Sequence, residues 1–91
     1  MPEVCDIKVK VLSQSGRCSC GHKVGDEWVL GATTPDKPLC LPALNAIFST
    51  VKMMRYGGYF PGVKDPDVTE KGCPDIRNPV VFELRRIHKQ V

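Results

Sequence analysis

The chain has 91 residues, 42% hydrophobic and 25% charged, with a net charge of +3. This composition predicts one folded domain spanning 1–91, with a core that closes without obligatory staples, and it argues against resting disorder. The mild charge excludes a dedicated nucleic-acid binder of the usual strongly basic kind, so nucleic acid is not an expected partner. No apolar run approaches the ~20 residues of a membrane span, and Met1-Pro2-Glu3-Val4-Cys5-Asp6 lacks the basic and apolar regions of a signal peptide. The expectation is a cytoplasmic protein with no membrane partner.

The first element in chain order is a strand. Cys5, Ile7, Val9 and Val11 alternate with Asp6, Lys8 and Lys10, the period-2 pattern of a half-buried strand. Leu12 begins its exit, and Ser13-Gln14-Ser15-Gly16 predicts a turn. A loop from Arg17 to His22 holds Cys18, Cys20 and Gly21, and Val24-Gly25-Asp26 turns into a second strand, Glu27–Leu30. Asp26 is expected to close that turn, and Trp28 to enter the core.

After a loop from Gly31 to Pro38, a helix is predicted over Pro42–Tyr56. Proline suits its first position, and Leu44, Ile47, Phe48, Val51 and Met54 recur at three- and four-residue spacing as one apolar stripe. Gly57 stands where a left-handed C′ residue ends such a helix, with Gly58 behind it. Fifteen residues at 1.5 Å rise run about 22 Å. Pro61, Gly62 and Pro66 break up Tyr59–Asp67, Val68–Lys71 fits a short strand, and Cys73-Pro74-Asp75 and Asn78-Pro79 are turns. A last strand follows, with Val80, Phe82 and Leu84 alternating with Val81, Glu83 and Arg85. The predicted fold class is α+β: a small antiparallel sheet of three or four strands with one main helix packed on one face.

Six pieces in chain order span nearly all of the sequence: Gly16-Arg17-Cys18, Gly21-His22-Lys23-Val24-Gly25-Asp26, Leu39-Cys40, Arg55-Tyr56-Gly57-Gly58, Cys73-Pro74-Asp75 and Val80-Val81-Phe82-Glu83-Leu84-Arg85-Arg86. Together they resemble a family of short cysteine-containing proteins frequent in anaerobic bacteria and archaea, often labelled an uncharacterised repeat family. The resemblance implies no reaction. Cys5 and Cys20 look like additions to that pattern.

Chemistry concentrates in the five cysteines and His22. An odd cysteine count in a reducing compartment points to ligands, nucleophiles or core thiols rather than disulfides. Cys18, His22, Cys40 and Cys73 fall in three separate loops or element ends, and three thiolates with one imidazole are a standard tetrahedral zinc set. The expected role is a zinc-binding structural or accessory domain acting with a protein partner. The spacing lacks the paired Cys-x-x-Cys of a zinc ribbon. An iron–sulfur cluster on Cys18, Cys20, Cys40 and Cys73 ranks lower, because the compact ferredoxin run is missing.

Unligated core thiols compete with both, since free cysteine is among the most buried residue types, and Cys5 on the apolar strand face fits that fate. A thiol-based or small-molecule-binding enzyme component would centre on Cys40 at the helix start, with His22 as base and Asp26 orienting it. No catalytic triad or phosphate loop is present in the sequence, which argues against an independent enzyme. A third possibility is a weak phosphate or nucleic-acid binder using Arg55, Tyr56, Arg85 and Arg86.

Overall fold

The computed structural model describes residues 4–14, 23–33, 37–62, 64–72, 77 and 79–87. Its elements in chain order are β1 (Asp6–Gln14), β2 (Glu27–Leu30), α1 (Leu41–Arg55), β3 (Val68–Gly72) and β4 (Val80–Ile87). The four strands form one sheet in the order β2-β1-β4-β3, antiparallel throughout. With α1 packed on one face, this is the expected small α+β fold.

Alternation decides which face is covered. Ile7, Val9 and Val11 of β1, Trp28 and Leu30 of β2, and Val80, Phe82 and Leu84 of β4 are all buried and point toward α1. Asp6, Lys8, Lys10, Glu27, Glu83 and Arg85 occupy the intervening positions on the open face, where Lys8 pairs with Glu27 at 3.4 Å. Trp28 enters the core as expected, edge-on to Phe82 with ring centroids 6.4 Å apart. Its indole N–H donates to the Pro38 carbonyl at 3.0 Å, so the one polar atom of the ring is satisfied.

β1 runs further than its sequence suggests. Ser13 and Gln14 pair with Val81 and Val80, and Leu12 is the extra residue of a β-bulge between Val11 and Ser13. Ser13 and Gln14 thus belong to the strand and not to the predicted turn, because pairing with the long β4 supplies ladder bonds that outweigh their turn preference. β4 likewise continues to Ile87.

The helix starts at Leu41, one residue early, and is rotated relative to the predicted stripe. Its buried residues are Ala43, Ile47, Thr50, Val51 and Met54. Small Ala43 and Thr50 allow close approach to the sheet, so the face 43-47-50-54 turns inward, Leu44 moves to the flank and Phe48 is 59% exposed. The C-terminus is a Schellman motif: Gly57 has φ +90°, Gly57 N–H donates to Met54 O at 3.2 Å and Gly58 N–H to Met53 O at 2.9 Å. A Cβ at Gly58 would fall 3.0 Å from the Met53 carbonyl oxygen and closer still to the Met53 side chain.

The inward face of α1 generates a direct test. Ile47→Ala should cost about 2–5 kcal/mol in urea denaturation, whereas Phe48→Ala should stay within about 0.5 kcal/mol of the parent. A loss for Phe48→Ala as large as that for Ile47→Ala would mean that the helix seats the stripe read from the sequence.

Candidate functional site

The antiparallel order sends particular segments to particular ends of the sheet. β1 and β3 finish, and β2 and β4 begin, at one end: Gln14 pairs with Val80, Gly72 with Val81, and Glu27 with Lys10. We call this the Gln14 end. The opposite end holds Cys5, whose N–H donates to Arg55 O at 2.9 Å, while Arg55 Nε donates to Cys5 O at 3.3 Å. This reciprocal clasp fixes the C-terminus of α1 at the Cys5 end, so the helix N-terminus and Cys40 lie toward the Gln14 end.

Cys40 is the N-cap of α1, with φ −52° and ψ 128° and no capping hydrogen bond from its side chain. It is half-buried and packs against the core cluster. A cavity of about 500 Å³ beside it is lined by Asp26, Trp28, Lys37, Pro38, Leu39, Cys40 and Leu41. Asp26 Oδ2 accepts the Lys23 N–H at 2.9 Å, and Asp26 O accepts from Val11 N–H at 2.9 Å, so Asp26 closes the turn as expected. Lys37 Nζ stands 5.4 Å from the Trp28 ring centroid. The fold therefore brings Cys40 and Asp26 to one cavity from separate elements.

Of the proposed zinc ligands, Cys18, His22 and Cys73 lie outside the described residues, as does Cys20. Among the described residues no group of three or more His, Cys, Asp or Glu side chains is placed to hold a metal ion. Cys5 is buried in the core at the Cys5 end, away from Cys40.

The basic and aromatic residues do not form one surface. Arg85 is on the open face, 3.1 Å from Glu83. Arg86 points the other way, with its side chain 8% exposed. Its Nη2 donates to Gly58 O and to Pro66 O at 2.6 and 3.1 Å, tying the end of α1 and the turn before β3 to β4. Asp67 Oδ1 is 3.5 Å from Arg86 Nε, too long for a good hydrogen bond, and among the described residues that buried Nε has no hydrogen-bond acceptor. Arg55 lies over the Tyr56 ring at 5.6 Å and donates to Cys5 O. Arg86 is a structural tie; the strand alternation that buries Leu84 could have identified it.

Sequence reasoning singled out Arg55 and Tyr56 but gave no site role to Leu44, Phe48 or Lys52, which line a cavity with them. Leu41, Leu44, Phe48, Lys52 and Arg55 recur at i+3 and i+4 as a second helical row, a pattern legible beside the core stripe.

No helix among the described residues is long and apolar enough to cross a membrane. No family model matches the chain, and neither a curated protein nor a solved structure matches it.

The tie makes a contrasting pair of predictions. Arg86→Ala should cost about 1–2 kcal/mol, chiefly through the part-buried bond to Gly58 O, since water can replace the exposed one to Pro66 O. Arg86→Lys should recover only part of it, because the ammonium lacks the reach and planarity of the guanidinium. Arg85→Ala should change stability by under about 0.5 kcal/mol. Denaturant midpoints of the three variants check both, and an unaffected Arg86→Ala protein would return Arg86 to the candidates for ligand binding.

Proposed function

We propose that the chain is a small zinc-binding accessory domain in which Cys18, His22, Cys40 and Cys73 close a tetrahedral site at the Gln14 end. The supporting observation is topological. Cys73 follows Gly72 in sequence and His22 precedes Lys23; Gly72 is paired beside Val81, Lys23 is hydrogen-bonded to Asp26, and Cys40 shares a cavity with Asp26. Cys18 lies between Gln14 and Lys23 in the chain. All four thus belong to segments that leave or enter the same end of the sheet.

A Cys₃His set is a closed structural site. Its metal would link the connections β1–β2, β2–α1 and β3–β4, converting binding free energy into stability of that end of the domain. The surface so fixed would serve a protein partner, in a reducing, cytoplasmic setting that keeps the thiols available. Sheet width sets a condition on Cys73: β2 and β3 are three strand spacings apart, about 14 Å, so Cys73 must reach inward while Cys40 is fixed on α1. Loss of Cys73 is therefore the most discriminating substitution.

A thiol-based function centred on Cys40 draws on the same cavity, which Asp26 also lines. One experiment separates the two. Protein purified without air should contain about one zinc per chain, lose it with stability in Cys18→Ser, Cys40→Ser and Cys73→Ser, and resist alkylation at Cys40 until chelator is added. Iron with sulfide would transfer the site to a cluster. Metal-free protein whose melting ignores both zinc and chelator, and whose Cys40 alkylates rapidly, would replace the zinc site by the thiol function.

A further inference from the structure

A second cavity extends toward the Cys5 end, between the end of β2 and the outer flank of α1. Leu30, Leu44, Phe48 and Val51 supply its apolar surface, with Gly31, Ala32 and Thr33 on one rim and Lys52, Arg55 and Tyr56 on the other. Its volume is about 380 Å³, within the range of small-molecule sites. At ~30 Å³ per water-sized unit, that is room for roughly a dozen non-hydrogen atoms.

Among the described lining residues the charged ones are both basic, Lys52 and Arg55, which stand one helical turn apart. Among the described residues neither cation is in an ion pair. Asp6 sits beside Gly31, where a Cβ would lie 2.8 Å from its Oδ1, but does not line the cavity. Arg55 is held in place by Cys5 O through Nε and by the Tyr56 ring, which leaves the rest of its guanidinium fork to orient an anion at little entropic cost. The walls are held as well: Leu30 and Val51 belong to the core, while Phe48 reaches out from α1 as an exposed ring.

We propose that this groove binds a small amphipathic carboxylate, an acyl or aromatic body of about ten to twelve non-hydrogen atoms lying against Leu30, Leu44 and Phe48 with its carboxylate at Lys52 and Arg55. The apolar lining selects the body and the two cations select the head. The adjoining outer edge of β2 offers only four residues to an extended peptide, too short a ladder to favour that occupant over one that fills the cavity.

Sub-micellar decanoate is the probe, titrated into isotope-labelled full-length protein. Saturable shifts are expected at 30–33 and along the 44–56 flank of α1. Phe48→Ser, at an exposed position, should weaken binding about tenfold. Lys52→Glu should weaken decanoate about fivefold while leaving decanol, which lacks the charge, unchanged. Absence of saturable shifts, affinities unmoved by both variants, or equal binding of decanol and decanoate would each overturn the assignment. So would shifts confined to the Glu27–Leu30 backbone, which would mark β2 as a strand-docking edge. Zinc content reports separately on the Gln14 end, so neither result decides the other.

Discussion

Pairing of β1 with β4 is the contact on which the other parts depend. It joins residues about 75 positions apart, from Asp6 beside Ile87 to Gln14 beside Val80, and closing a loop that long costs about 4 kcal/mol of chain entropy before further terms. The return is the densest apolar layer in the molecule: Ile7, Val9, Val11, Phe82 and Leu84 are all fully buried. β2 and β3 then add to the outer edges of this pair, each through its own short register. A centre made of sequence-distant strands also implies slower folding than a helical domain of similar size.

The central pair also sets which connections share an end of the sheet. With every neighbouring pair antiparallel, the β1–β2 and β3–β4 connections emerge at the same end. α1, clasped to Cys5 by its last residue, returns its first residue toward that end. Cys40 therefore stands toward the end of the sheet from which those two connections leave, beside Asp26, whereas Cys5 lies at the other end. The same geometry separates the basic residues, since Arg85 and Arg86 are successive on a strand and so face opposite sides of the sheet.

The strands were legible because alternation is strong in β1, β2 and β4, and the helix because Pro42 and Gly57 mark its ends. The β1 extension through Ser13 and Gln14 was not, because turn-forming residues become strand when a long partner supplies the ladder. The face of α1 was legible in part: Ile47, Val51 and Met54 of the predicted stripe are buried, whereas Leu44 and Phe48 give way to Ala43 and Thr50. Two rows of residues, Ala43-Ile47-Thr50-Met54 and Leu41-Leu44-Phe48, both look apolar along the sequence, and only the close approach permitted by Ala43 and Thr50 decides between them. For the cysteine end, the sequence offers only candidate donors, while the fold contributes the shared strand ends and the position of Cys40.

One helix about 10 Å across cannot cover four strands spanning about 14 Å between the outer axes, so some of the inner face must remain at the flanks. The two flanks differ in character. On β3 the positions opposite buried Leu84 and Phe82 are Thr69 and Lys71, which tolerate water. On β2 the inward positions, opposite buried Val9 and Ile7, are Trp28 and Leu30, which do not. Trp28 is sheltered by Pro38 through its indole hydrogen bond, and Leu30 is left beneath the groove that Phe48 overhangs. The groove is therefore what remains when a single helix lies across a sheet whose apolar face extends to one edge and gives way to polar residues at the other. Lys52 and Arg55 stand beside that apolar surface, one rising from an exposed turn and the other held by Cys5 and Tyr56. An apolar wall, an anchored guanidinium and a second cation one turn away favour an occupant that is greasy along its body and negative at one end.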